Sequence, residues 1–395
     1  MTVAVACVAA GTLVLSGCSK PSTDGDTKPA AGNQTAPKAA PANLTISPAT
    51  GAAKVSTRPS VKVTTDGKLS KVEVTDAAGK PVAGQLAADQ GTWRPDNQLS
   101  YDSKYKVTAT AANKDGAEST ATSDFTTMGQ PGKTNGVDFA VDSGTVGVAL
   151  PIILHFTYSV PESMRKAIQD AIQIRTSQPV EGAWKWWSSD ELHFRTKDYW
   201  QPGTKIQVKA AIGGIDMGNG RYGKRDRTAT MTVGSKVNME VDNKTHKALV
   251  YQDGKLIKTL PASLGKRSTP SSSGIMVVQE KRQVVVMDSC TFGVCKGQPG
   301  YYRETVYWDV RYTDGGEFVH AAPWSVDDQG NSNVSHGCVN LSTSNAKWFF
   351  QLAKPGDIVH IVNTNAKVKP GDGWTDWELS WDTISKSGVV TTTQL

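Results

Sequence analysis

Four consecutive residues, Ser335-His336-Gly337-Cys338, carry the most chemically specific pattern in the chain. A cysteine attacks as its thiolate, and an unperturbed thiol ionises only near pH ~8.5. It therefore needs an imidazole to take its proton, a third group to orient that imidazole, and N–H donors for the oxyanion that forms. His336 lies beside the thiol, and His320 lies 18 residues upstream in the strand-like segment EFVHAAPW. A neighbouring strand can bring that second imidazole to the sulfur. Gly337 lets a substrate approach the backbone closely. Together these types predict thiol acyl transfer rather than an inert buried cysteine. Cys338, His336 and His320 could also ligate zinc, but no carboxylate sits at a standard ligand spacing to complete the set. His155, His193, His246 and His360 have no chemical neighbours in the sequence.

The elements that must hold these residues are mostly strands. From Val237 onward, NMEVDNKTHKALVYQDGKLIKTLPASLG reads as strand, Asp253-Gly254 turn, strand, and GIMVVQEKRQVVVMD and DIVHIVN supply more. STSNAKWFFQLA, residues 342–353, is the one convincing helix of this region. Ser342 or Ser344 can cap it, and Lys354-Pro355-Gly356 stops it. Cys338 lies a few residues before its N-terminal end, where the helix dipole favours an anion. Residues 371–381, GDGWTDWELSW, carry three tryptophans that must pack against something.

With 395 residues, 38% apolar and 20% charged, the chain is long enough for two to four domains of ~100–200 residues and can bury their cores. No apolar run reaches the ~18 residues of a membrane-spanning helix. The net charge of +6 is diffuse, without the basic cluster that would read nucleic-acid phosphate, so no nucleic-acid partner is expected. A polyanionic cell wall would suit it.

Residues 1–17 read as a signal peptide whose apolar stretch ends Leu15-Ser16-Gly17-Cys18. That ending resembles a bacterial lipobox, so Cys18 is the expected lipidation site and the membrane a partner through the lipid anchor. The basic residue that normally precedes such a stretch is missing, as in a chain whose start was chosen downstream of the natural one. Residues 18–42, rich in Pro, Ala, Thr and Lys, read as a flexible tether outside the membrane. Cys7 leaves with the signal. Cys290 and Cys295 enclose a tetrapeptide that a tight turn can bridge, which leaves Cys338 as an odd thiol in an oxidising compartment.

Residues 43–129 and 130–235 read as two β-sandwich modules in tandem. Short alternating strands recur between turn signals, and the parallels Gly-Thr-Trp with Gly-Ala-Trp and YKVTATA with IQVKAAI hint at duplication. A helical stretch at 162–172 interrupts the second. Both modules are expected to act as spacers. The loop Asp216-Met-Gly-Asn219-Gly220 is rich enough in oxygen to hold a hard cation, with a plain turn as the alternative.

The segment VHAAPWSVDDQGNSNVSHGCVNLSTSNAKWFF resembles the signature of bacterial L,D-transpeptidases, with its core S-H-G-C-x-N. GIMVVQEK, VMDSCTFGV, GYYRETV and the GDGW–DW tail extend the likeness over 239–381. The resemblance implies a mainly β chain: two immunoglobulin-like sandwiches, a β-rich catalytic domain of the YkuD type over 236–366 with one main helix after the cysteine, and a Trp-rich extension at 367–395 that packs on the preceding domains. It implies Cys338 as nucleophile and His320 as general base oriented by the backbone carbonyl of Ala321. It implies that His336 shapes the site and that the Gly337 and Cys338 amides hold the oxyanion. Tyr302, Gly315, Gly316 and Asn340 match substrate-contacting positions, and Met287, Phe292 and Trp324 match the lid and wall. Cys290 and Cys295 depart from the family lid and are expected to bridge and stiffen it. The implied activity needs no cofactor. It joins peptidoglycan stem peptides by a 3→3 cross-link, and carbapenems acylate the same cysteine. An L,D-carboxypeptidase, or a transferase that attaches a protein to peptidoglycan, would use the same thioester.

Overall fold

The computed structural model describes residues 40–395. The expected signal segment, Cys7, Cys18 and nearly all of the tether lie outside the described residues, although Ala42, read as the end of the tether, is already buried.

Alternation builds the first two modules. In Lys104–Ala112 (KYKVTATAA), Tyr105, Val107, Ala109 and Ala111 turn inward while their neighbours face out, the period-2 signature of a half-buried strand. The strand pairs with Glu118–Thr127, and Tyr105 stacks on Phe125 of that partner at 5.6 Å. With the strands of the segments 44–127 and 137–233 numbered separately in chain order, and the short pair Thr134–Asn135/Tyr222–Gly223 set aside, both modules have the sheet orders 1-3-6-5 and 2-8-7-4. The two sandwiches thus share one topology, as the sequence parallels anticipate. A helix, Glu162–Asp170, interrupts the second.

The C-terminal segment is part of the second sandwich. Val389–Thr391 adds an antiparallel strand to Glu181–Trp186, and Thr393–Gln394 adds a parallel one to Ile172–Thr176. Between them the Thr392 hydroxyl is buried against that of Thr176. Upstream, Trp377 donates its indole N–H to the Ala149 carbonyl at 2.8 Å, and Arg195 lies over the rings of Trp377 and Trp381. His193 anchors the same seam: Nδ1 bonds the Asp376 carboxylate at 2.9 Å and Nε2 bonds Glu191 at 2.7 Å. Burial opposes charge on this imidazole, but the two carboxylates outweigh it and raise its pKa to about 9.

A histidine whose folded pKa exceeds its unfolded value contributes stability that is complete below the unfolded pKa of ~6.5 and is lost as pH rises through about 9. Asp376 is fully buried, so Asp376→Asn leaves the imidazole without its buried charge partner and with only the half-buried Glu191. The expected cost is about 3–5 kcal/mol at pH 6.5. Urea melts at pH 6.5 and 9.5 should show a gap between wild type and variant that shrinks at the higher pH. Equal melts at pH 6.5 would contradict it.

The remaining domain combines a six-stranded sheet, centred on Val237–Asp242 and Ile358–Val362, with a four-stranded sheet containing Glu280–Asp288, Arg303–Arg311, Phe318–Ala321 and Val339–Leu341. Helix Thr343–Leu352 packs on the second sheet through the fully buried Ala346 and Phe349. Ser342 is its cap and accepts the Asn345 N–H. Ahead of the domain, Gly147 donates to the Pro355 carbonyl at 2.8 Å. A Cβ at 147 would lie 2.1 Å from the Gly356 carbonyl carbon, so only glycine allows this backbone contact.

Candidate active site

The parallel pairing of Phe318–Ala321 with Val339–Leu341 assembles the site. It sets His320 opposite Asn340 and Val319 opposite Val339. Cys338 is the bend residue directly before that strand, level with Phe318, whose N–H is directed at its sulfur. Residues 18 apart in sequence thereby become diagonal neighbours across two strands.

His320 is 4% exposed, and its Nδ1 bonds the Ala321 carbonyl at 2.9 Å. That bond fixes the tautomer with the proton on Nδ1 and the Nε2 lone pair available. Burial pulls its pKa down to about 4, against the opposing pull of the Ala321 carbonyl. Cys338, 9% exposed, is the one free cysteine among the described residues. Its S–H points to the Gly316 carbonyl at 3.8 Å. Burial pushes the thiol well above its ordinary range; the Phe318 N–H directed at the sulfur pulls the other way, while Asp309 and Glu317 add to the rise. The resting pair is therefore neutral thiol and neutral imidazole. The sequence-based expectation that the helix dipole favours the anion is corrected. Strand Val339–Leu341 separates the sulfur from the helix start at Thr343, and burial dominates.

The Gly337 amide, the expected oxyanion donor, has a partner in the resting site. Its N–H donates to Ser335 Oγ at 3.1 Å, and that hydroxyl donates to the Cys338 carbonyl at 2.7 Å. The Gly337 amide is thus already committed to a turn around the motif, and an incoming oxyanion would have to displace Ser335. Gly337 itself needs its φ of +135°. His336 is exposed, accepts from Lys266 Nζ at 3.0 Å and stacks on Tyr302 with ring centroids 4.8 Å apart. Burial and Lys266 both lower its pKa, so it meets a substrate as neutral imidazole.

Of the expected substrate contacts, Tyr302 is half-buried on the flap beside His336, and Gly316 offers its carbonyl to the thiol. Gly315 donates its N–H to Asp372 of the C-terminal loop. Trp324 is 56% exposed, with its ring 6.2 Å from that of His320. Met287 is half-buried on the flap strand. The Phe292 side chain lies outside the described residues. Asn340 is 3% exposed and donates Nδ2 to Ser325 Oγ, so its side chain is tied to the 323–325 turn of the wall. Cys290 and Cys295 form the expected disulfide across the flap loop. The loop 216–220 is a turn. Asp216 accepts the Gly218 N–H at 2.8 Å, Asn219 and Gly220 take positive φ, and the carboxylate is spent on closing the loop rather than held for a cation.

Sequence reasoning missed two carboxyls beside the sulfur. The register slips between Tyr307 and Val310, so Trp308 and Asp309 together oppose His320. Asp309 is 1% exposed, its Oδ2 has no partner, and burial, with Glu280 adding, raises its pKa to about 8. Glu317 sits between Gly316 and Phe318, the two residues whose backbones face the sulfur. Its place beside the histidine strand was the available signal.

Residues 236–361 match the family model for an L,D-transpeptidase catalytic domain, and residues 52–216 match one for a bacterial Ig domain. L,D-transpeptidase 2 of Mycobacterium tuberculosis (strain CDC 1551 / Oshkosh) is 39% identical over 341 residues, 86% of this chain and 83% of that protein. L,D-transpeptidase 5 of M. tuberculosis (strain H37Rv) is 34% identical over 88% of this chain and 77% of its own length. Among solved structures, LdtMt1 in complex with imipenem superposes with a TM-score of 0.50 at 34% identity, covering 59% of this chain and all of that one.

Proposed function

The chain belongs to the L,D-transpeptidase family, and from that premise we propose that it cross-links peptidoglycan stem peptides 3→3 through a thioester on Cys338. The observation that carries the reading is the strand pairing that sets His320 diagonal to Cys338, with Ala321 holding the imidazole so that Nε2 can accept.

The sulfur attacks the carbonyl carbon of the third residue, a diamino acid, of a tetrapeptide stem. The S–H proton passes to His320 Nε2. The resulting imidazolium keeps its Nδ1–H on the Ala321 carbonyl, which offsets part of its burial penalty. Collapse of the tetrahedral intermediate breaks the C–N bond, and the imidazolium proton goes to the departing D-Ala amine. The side-chain amine of a second stem then attacks the thioester and gives its proton to Nε2, and the thiol is regenerated. Because both groups rest neutral, charge appears only as the reaction proceeds, in a site from which water is largely excluded. Water attack would give a tripeptide instead, so a flap stiffened by Cys290–Cys295 and a wall at Trp324 favour the amine. The imidazole is unprotonated, and so free to accept a proton, throughout the neutral range.

The reading extends to carbapenems as acylating inhibitors and to an extracytoplasmic location at the wall, with a lipid anchor at Cys18. Incubation of the purified protein with disaccharide-tetrapeptide tests the activity directly. The expected product is a dimer of two stems less one D-Ala, linked between the two third residues. Tripeptide without dimer would assign the protein as a carboxypeptidase and overturn the proposal.

A further inference from the structure

Residues 316–318 wrap the sulfur: the Gly316 carbonyl accepts its S–H, and the Phe318 N–H points at it. The side chain between them, Glu317, is held firmly. Its carboxyl accepts the Ser272 N–H at 3.0 and 3.1 Å, the Ser272 hydroxyl at 2.8 Å and the Tyr312 hydroxyl at 3.4 Å. It also lines the space at Gly337, where an added Cβ would lie 3.5 Å from Glu317 Cγ. One carboxyl thus links strand Ser272–Val277 to Tyr312 and borders the nucleophile turn at Gly337.

We propose that Glu317 is a positioning residue for Cys338: it fixes the 316–318 backbone around the sulfur, and its negative charge opposes formation of the thiolate. The proposal rests on Cys338 being the nucleophile.

The groups that face this pair come from every packed element. Asp372 approaches Glu317 from the C-terminal loop, and Asp309 approaches Cys338 from strand Arg303–Arg311. Tyr302 on the flap and the fully buried Tyr312 both sense the sulfur. His336 lies on the nucleophile turn under the influence of Lys266 and Glu304. His320 stays neutral above about pH 4. Burial raises Glu317 to about 7, opposed by its bonds to Ser272. Its charge therefore switches within the working range, while His320 does not titrate there.

Iodoacetamide alkylation of the full chain, followed on the peptide bearing residue 338 between pH 5.5 and 9, tests this without any peptide substrate. The outcome is thus separable from the transfer activity itself. In the wild type, log rate should rise with pH less steeply between pH 6 and 9 than below it, because Glu317 and then Asp309 ionise near the sulfur. In Glu317→Gln the flattening near pH 7 should disappear and only that of Asp309, near pH 8, should remain. The variant should match the wild type near pH 6 and exceed it by about three- to tenfold at pH 8.5, the equivalent of about half to one pKa unit. Ser272→Ala removes one donor from the carboxylate and keeps the charge, so the flattened region should move to higher pH. A Glu317→Gln profile parallel to the wild type at all pH values, or a Ser272→Ala profile with its inflection unmoved, would overturn the proposal.

Discussion

Replacing Cys338 by alanine is expected to reduce stem-peptide turnover to background, a loss of roughly 10^4-fold or more, because no other group can hold the acyl fragment between the two half-reactions. The fold should survive. The sulfur makes one weak S–H contact, 3.8 Å to Gly316, and receives only the Phe318 N–H, so its loss leaves few groups without a partner. The unfolding free energy from urea melts should therefore change by no more than about 1 kcal/mol. Cys338→Ser should be comparably inactive: its oxygen occupies nearly the same place, but a hydroxyl is far harder to ionise in a pocket that already raises the thiol. Dimer formation by the alanine variant at more than a few percent of the wild-type rate would remove Cys338 from the reaction.

The second large effect is at His320. His320→Gln keeps most of the buried volume and removes the base, so turnover should fall by about 10^2–10^4-fold. The wild-type imidazole is already neutral at pH 5, so its contribution is nearly flat from there to pH 8. The variant must rely on ionisation of the thiol itself, and its residual rate should climb with pH over that range. Stability carries a second signature. A histidine buried as the neutral form has a folded pKa below its unfolded one, and the protein loses stability as pH falls from ~6.5 to about 4. The glutamine variant should lack that part of the acid sensitivity. A variant with a wild-type pH profile at reduced rate would show that His320 shapes the pocket without handling the proton.

Much of this architecture was legible in the residues. KYKVTATAA can bury one face only as a strand, and its counterpart IQVKAAI, on Lys205–Ala210, does the same in the second sandwich. Ser-His-Gly-Cys with a histidine strand upstream named the site, since few other arrangements need those types so close. Long-range pairing was not legible. His193 has only Glu191, two residues before it, as a chemical neighbour in its own segment, and its buried partner Asp376 lies 183 residues away. VVTTTQL carries no clue that its two short strands extend both sheets of the second sandwich. The pattern marks Asn340 as a substrate contact, but its burial and its bond to Ser325 were not legible. Asp309 and Glu317 are single carboxylates in the sequence. Only the register slip opposite His320 and the Ser272 clamp give them a place beside the sulfur.

The most direct measurement is the intact mass of the protein after incubation with a carbapenem, followed by peptide mapping. One stoichiometric adduct on residue 338 is expected in the wild type and none in Cys338→Ala. An unmodified wild type, or an adduct that persists when Cys338 is gone, would contradict it.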